Sequence, residues 1–183
     1  MDYAISNWVL NTFGDSKFFA VVSSILTHLG GTSVVVLILA ILLCFKKTRK
    51  VGVYCTVAVL LNLLVNNAIL KNIVQRARPF EDYAEMTKIC ELAGYALPAD
   101  FSMASGHASA TMAIAVSVFM HSKKWGAGAI VYSVVVGLTR IALLVHYTTD
   151  VLVGWLLGTV IAIGVYYLLN FIIQKINKKR GII

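Results

Sequence analysis

The chain has 183 residues, of which 59% are hydrophobic and only 13% charged, and a mean hydropathy of +0.83. An ordinary soluble domain is about half apolar and about a quarter charged, so that class is excluded. The net charge of +8 comes in clusters without interleaved aromatics, which is not the pattern of a nucleic-acid partner.

The hydrophobic excess is concentrated in charge-free blocks near the roughly 20 residues that cross a bilayer. They predict an all-α, polytopic integral membrane helix bundle with five or six transmembrane helices, forming one domain over 1–183. Residues 1–17 carry Asp2 and Asp15 and no basic stretch ahead of the hydrophobic part, so no cleavable signal peptide is expected. Residues 18–29 are apolar but short and run into Gly30-Gly31, a helix breaker. They predict a short interfacial or re-entrant helix, or half of a hairpin with the next block.

Block 30–45 is followed by Lys46, Lys47, Arg49 and Lys50, and then by block 51–70. The one long polar segment, 71–106, holds Pro79 and Pro98. Its stretch "EDYAEMTKICELAGYA" predicts a short helical piece with Gly94 near its end. Block 108–120 leads to Lys123 and Lys124, and blocks 125–139 and 151–173 follow. A basic tail, 174–183, carries Lys175, Lys178, Lys179 and Arg180. Gly154 and Gly158 in the last block stand at small-xxx-small spacing, which favours close approach of a helix from the same subunit over dimerisation. Cys44, Cys55 and Cys90 are odd in number and scattered, which argues against a disulfide framework or zinc site and for small packing residues.

No acid lies in the three basic clusters. The positive-inside rule places them, and the C-terminus, in the cytoplasm. The blocks then alternate consistently, and segment 71–106 faces the outside.

That topology brings Lys71, His107, Arg140 and Asp150 to one level, at the outer surface where basic residues are disfavoured. Ionisable groups at helix ends facing a bundle interior are functional candidates. In "SMASGHASA", Ser105-Gly106-His107 opens an apolar helix. A helix N-terminus offers unpaired N–H groups to an anion, and Gly106 lets the backbone approach it. Taken alone, a plain Ser N-cap with a His in the first turn is the better account of this stretch. Lys71, Arg78 and Arg140 supply long cations suited to phosphate oxygens. His146 and Asp150 are four residues apart, which sets carboxylate beside imidazole if a helix begins there, with Thr148 or Thr149 as its N-cap. A carboxylate on one ring nitrogen leaves the other as nucleophile, and His107 can protonate a leaving alkoxide. The set suits phosphoryl transfer through a phosphohistidine with no metal. Arg140 and His146 do not share a helical face, so a break is expected between them.

"KNIVQRARP" (71–79), "SGH" (105–107) and "RIALLVHYTTD" (140–150) resemble the three-part signature of the type-2 phosphatidic acid phosphatase superfamily. That signature runs Lys, six residues, Arg-Pro; then Pro-Ser-Gly-His; then Ser-Arg, five residues, His, three residues, Asp. Two positions depart from it: Ala104 stands for Pro and Thr139 for Ser. The resemblance implies His146 as nucleophile, Asp150 as its orienting partner and His107 as general acid. Lys71, Arg78, Arg140, Ser105 and the Gly106 amide would hold the phosphate, with no metal or other cofactor. It also implies that vanadate mimics the transition state. Arg76 lies outside the signature and reads as an electrostatic extra or a headgroup contact; His28 and His121 read as structural. The implied partners are the bilayer and a lipid phosphate, first undecaprenyl pyrophosphate and second a glycerophospholipid phosphate. A non-catalytic anion-binding or transport protein is the competing class, but a binder needs no His146–Asp150 pair with His107.

Overall fold

A computed structural model describes residues 1–180. It is helical throughout, with no strand among the described residues. The helices are α1 (Asp2–Phe13), α2 (Lys17–His28), α3 (Thr32–Cys44), α4 (Arg49–Leu63), α5 (Lys71–Val74), α6 (Pro79–Asp82), α7 (Lys88–Ala93), α8 (Gly106–His121), α9 (Lys123–Ala142) and α10 (Thr148–Lys179). A π-helical stretch, Leu64–Leu70, joins α4 to α5, and a 3-10 turn, Ala84–Thr87, precedes α7.

Four helical runs are long and apolar enough to cross a membrane: Lys17–Cys44, Arg49–Asp82, Lys123–Ala142 and Thr148–Lys179. The predicted blocks correspond to α3, α4, α8, α9 and α10, but block 51–70 runs on from α4 through the π stretch, and block 108–120 becomes α8, which has only 16 residues. Large apolar side chains such as Leu37, Leu60, Leu138, Leu156 and Phe171 are exposed on α3, α4, α9 and α10, as surface that meets lipid requires.

Helix α8 is the centre of the bundle, packed by α10, α9 and α4. Every residue from Ala108 to Ser117 is buried. Its small residues let neighbours come close, and α10 matches them with glycine. A Cβ at Gly158 would lie 2.3 Å from the Ser109 carbonyl oxygen, and one at Gly154 would lie 2.9 Å from that of Ser105. The expected within-chain role of this glycine pair is thus met by α8. Gly158→Val should lower unfolding stability in detergent by about 1–3 kcal/mol, the usual range for overpacking. Gly164, where a Cβ would meet nothing within 4 Å, is the control position: Gly164→Ala should not lower the thermal midpoint, because alanine favours a helix interior over glycine.

The segment before Gly30-Gly31 does not form a hairpin with α3. Helix α2 packs on α9 and α7, whereas α3 packs on α4. The two follow one another through a short turn, in which a Cβ at Gly30 would lie 2.3 Å from a Val136 methyl and 3.3 Å from the His107 ring. The glycine therefore serves close approach to α9 and to the site as well as the break. The predicted helical piece in segment 71–106 is α7, capped by Gly94 at φ 60°, a left-handed conformation natural to glycine. The basic segment predicted as a tail is largely the last turns of α10, which runs to Lys179; positions 181–183 of that prediction lie outside the described residues.

The basic clusters share one end of the bundle. Tyr54 near the start of α4 donates to Asn170 Oδ1 late in α10 at 2.8 Å, and its ring lies 4.6 Å from that of His121 at the end of α8. The start of α8, the end of α9 and the start of α10 meet at the opposite end.

Candidate active site

Three chain segments build this end. The first leaves α4 through the π stretch, a register change often found at functional sites. There Asn66 is anchored to the loop ahead of α8: its Nδ2 donates to the Ala104 carbonyl at 3.2 Å, and Ala104 N–H donates to its Oδ1 at 3.3 Å. Lys71 follows, buried, with Nζ donating to the Asp100 carboxylate. The chain turns at Gln75 (φ 46°) and delivers Arg78 at the N-cap of α6, where its N–H donates to Glu81 Oε2 at 2.6 Å.

Arg78 is 1% exposed. Its Nε and Nη1 donate to the carbonyls of Asp100 and Val145, each at 2.6 Å, and Nη2 donates to Asp100 Oδ1 at 2.6 Å. Burial alone would raise the Asp100 carboxyl, but Lys71 and Arg78 outweigh it and hold it below the usual carboxylate range.

The second segment is the start of α8. Ser105 occupies the N-cap position, but its hydroxyl makes no cap bond. That Oγ is buried without a hydrogen-bond partner among the described residues, an arrangement that costs free energy unless a ligand meets it. A Cβ at Gly106 would meet only Asn66 Nδ2, at 3.8 Å, so packing within the protein does not require glycine there.

The third segment is the break between α9 and α10. Helix α9 ends at Ala142, and Leu144 adopts φ 55°, an uncommon left-handed conformation for a branched residue. The expected break between Arg140 and His146 is this turn. Arg140 is 2% exposed, and its Nη1 donates to Thr27 Oγ1 at 2.8 Å and Tyr95 Oη at 2.7 Å.

His146 lies in the turn, with Nε2 3.4 Å from Arg78 Nη1. Its Nδ1 is 3.6 Å from Asp150 Oδ2 and 3.4 Å from Ser102 Oγ. Burial pushes the His146 ring pKa down to about 3; Arg140 and Arg78 act in the same direction, and Asp150 opposes them. The ring is therefore neutral near neutral pH, as a nitrogen nucleophile must be. Asp150 Oδ2 also accepts from Tyr147 N–H at 2.8 Å and from the Ser102 hydroxyl. Tyr147 is thus the N-cap of α10, correcting the expectation of Thr148 or Thr149: the Asp150 carboxylate takes the N–H that fixes the cap.

Lys71, Arg78, Gly106, His107, Arg140 and His146 all line one cavity of about 520 Å³. Ser105 and Asp150 are not on its wall; both are buried, and the Ser105 N–H donates to the Asp150 carbonyl at 3.0 Å. The cavity continues between α3 and α4 over Val35, Val36, Leu39, Val59, Leu60 and Leu63. Among the described residues, no group of three or more His, Cys, Asp and Glu side chains converges to hold a metal ion.

A family model described as the PAP2 superfamily matches residues 50–174. The chain belongs to the PAP2 superfamily. A curated relative from Sulfolobus acidocaldarius, named undecaprenyl-diphosphatase, is 33% identical over 121 residues, covering 66% of this chain and 56% of the relative. The chain thus matches little more than half the length of that relative. Among solved structures, a transmembrane PAP2-type phosphatidylglycerolphosphate phosphatase from Bacillus subtilis is similar, with TM-score 0.73 and 27% identity. That likeness covers 93% of this chain and 85% of the other. Aquifex aeolicus LpxE shares the fold with TM-score 0.68 at 20% identity, over 91% and 94% of the two chains.

The two departures from the PAP2 signature are accommodated locally. Ala104 is fully buried with both backbone groups paired to Asn66. Thr139 turns its hydroxyl back to the Val136 carbonyl at 2.6 Å. Arg76, the residue outside the signature, is paired within the protein. Its guanidinium donates to Asp150 Oδ1 and Thr149 Oγ1, each at 2.6 Å, and to Asp2 Oδ2 at 2.7 Å, and it stacks on Tyr147. It holds Asp150 through Oδ1, the oxygen not directed at His146.

Residues the sequence did not single out are Asp100, Ser102, Tyr95 and Thr27. A hydroxyl three residues before Ser105 was the one available hint, for Ser102. His28 bonds back to the Ser24 carbonyl at 2.6 Å and packs on Tyr95. His121 bonds to the Ser117 carbonyl at 2.8 Å, near Tyr54 at the opposite end.

Proposed function

We propose that this chain is a metal-independent lipid phosphatase of the membrane, acting through a phosphohistidine at His146. The carrying observation is the placement of His146 Nε2 beside Arg78, with Nδ1 turned toward Asp150, on the wall of a cavity that runs on as an apolar groove between α3 and α4. Cations at the head and aliphatic side chains along the groove suit an amphiphile with a phosphate head and a hydrocarbon tail.

Burial and Arg140 hold the His107 ring neutral before substrate binds, with its pKa pushed down to about 3, so the phosphate dianion has to bring a proton in with it. His146 Nε2 then attacks phosphorus, and the bond to the leaving oxygen breaks as the protonated His107 gives that oxygen its proton. Water then attacks the phosphohistidine, with His107 taking the water proton, and inorganic phosphate leaves. Lys71, Arg78, Arg140, the Ser105 hydroxyl and the Gly106 amide hold the phosphoryl oxygens, whose charge grows in the transition state. Asp150 fixes the His146 tautomer and stabilises the ring as it becomes positive.

Undecaprenyl pyrophosphate is the substrate we favour, supported by the named activity of the Sulfolobus relative. A glycerophospholipid phosphate is the second reading, supported by the Bacillus structure. Purified protein in detergent with chelator should release phosphate from a prenyl diphosphate faster than from phosphatidylglycerol phosphate; the reverse order favours the second reading. Release no faster than from His146→Ala on either substrate would leave only the binding or transport class.

We further place the site on the extracytoplasmic face, with the C-terminus in the cytoplasm, because the basic clusters lie at the opposite end of the bundle. In a variant lacking the native cysteines, a cysteine at position 85 should react with membrane-impermeant thiol reagents on intact cells. Labelling by permeant reagents alone would reverse this orientation.

A further inference from the structure

Lys71 and Arg78 already hold an anion, the side chain of Asp100. Asp100 lies between Gly94 and α8, outside any helix, and its side chain is 58% exposed. Its carboxylate bridges the two cations, with Oδ2 on Lys71 Nζ and Oδ1 2.6 Å from Arg78 Nη2. Both cations are almost fully buried, and among the described residues Lys71 Nζ has no other hydrogen-bond partner. Arg78 is held independently through the Asp100 and Val145 carbonyls, so its fork stays in place when the carboxylate moves away. Two oxygens of one anion set on a lysine and an arginine is the arrangement that two phosphate oxygens would take. Asp100 lines the same cavity as His146.

We propose that Asp100 is a specificity-determining residue that competes with the ligand for Lys71 and Arg78, so that a phosphate displaces it only by bringing more negative charge than one carboxylate. This rests on the reading of Lys71 and Arg78 as phosphate ligands. The reason is charge arithmetic. A terminal phosphate monoester or diphosphate brings about two or more negative charges near neutral pH, and exchanging Asp100 for it gains attraction. A phosphodiester brings one, and the exchange gains nothing. The bilayer presents phosphodiester headgroups in great excess, and a bare pair of buried cations would bind them. An internal carboxylate removes that affinity, which is discrimination by penalising the wrong ligand. After hydrolysis the same carboxylate is positioned to return and help inorganic phosphate leave.

The test is calorimetric titration of wild type, Asp100→Asn, Asp100→Glu and Lys71→Ala in detergent at pH 8, with inorganic phosphate and with diethyl phosphate. Asp100→Asn should bind inorganic phosphate about tenfold tighter than wild type or better, a gain of about 1.4 kcal/mol, and should acquire measurable affinity for diethyl phosphate. Asp100→Glu keeps the competitor and should resemble wild type. If Asp100→Asn is not monodisperse, Asp100→Ser carries the same expectation. Equal or weaker phosphate binding in these neutral variants overturns the proposal, because Asp100 would then be arranging the cations for the ligand. Phosphate binding unaffected by Lys71→Ala would instead overturn the reading of the cations on which the proposal rests.

Discussion

Replacing His146 by alanine is expected to lower phosphate release by about 10⁴-fold or more, as removal of a covalent nucleophile does in enzymes whose residues act as a unit. No neighbour can substitute for it. His107 lines the same cavity but is in no ion pair with a carboxylate among the described residues, whereas the Asp150 carboxylate lies 3.6 Å from His146 Nδ1. The remaining activity would come from charge stabilisation by Lys71, Arg78 and Arg140. Asp150→Asn should lose a similar amount for a second reason: the amide cannot serve Tyr147 N–H, Ser102, Arg76 and His146 together, and its own donor would face groups that already donate. The measurement is single-turnover phosphate release, with circular dichroism to establish that each variant remains helical. Asp150→Asn is the more vulnerable to misfolding, because it leaves Arg76 facing one fewer carboxylate.

Arg78→Lys should reduce kcat/KM by about 10²–10³-fold, the usual effect of losing a transition-state donor, despite keeping the charge. The reason is geometry. Arg78 uses three nitrogens at once, two on backbone carbonyls and one on an anion, and an ammonium group cannot reproduce that fork. The Val145 carbonyl, immediately before His146, would lose its donor and loosen the turn that carries the nucleophile. Arg78→Ala should also destabilise the fold by about 1–3 kcal/mol, since it leaves the Asp100 and Val145 carbonyls without their donor. A kcat/KM for Arg78→Lys within threefold of wild type would mean that charge alone matters at this position.

Much of this end of the molecule was legible because the sequence breaks its own rule there. Cations at 71, 78 and 140 stand out in an apolar chain on the side where the positive-inside pattern disfavours them, and the helix break between Arg140 and His146 follows from helical periodicity. The roles of Asp100, Ser102 and Arg76 were not legible for a common reason. Each acts through a contact across the fold: Ser102 with Asp150, Arg76 with both Asp2 and Asp150, Asp100 with Lys71 and Arg78. Pairings between a loop and a distant helix end leave no spacing in sequence. The Thr148 or Thr149 cap was mistaken because an N3 carboxylate can cap through backbone N–H alone, whatever residue sits at the cap position. The π stretch was invisible because Leu64–Leu70 reads as an ordinary apolar helix, and only the anchoring of Asn66 on Ala104 shows its use.

The central claim is that phosphate passes through His146. A rapid-quench experiment with a prenyl diphosphate radiolabelled in its terminal phosphate, followed by peptide mapping under alkaline conditions, tests it most directly. The expected result is an acid-labile, alkali-stable phosphoryl group on the peptide containing position 146, absent from His146→Ala and unchanged by chelator. Phosphate release by wild type with the label on another residue, or turnover retained in His146→Ala, would contradict it.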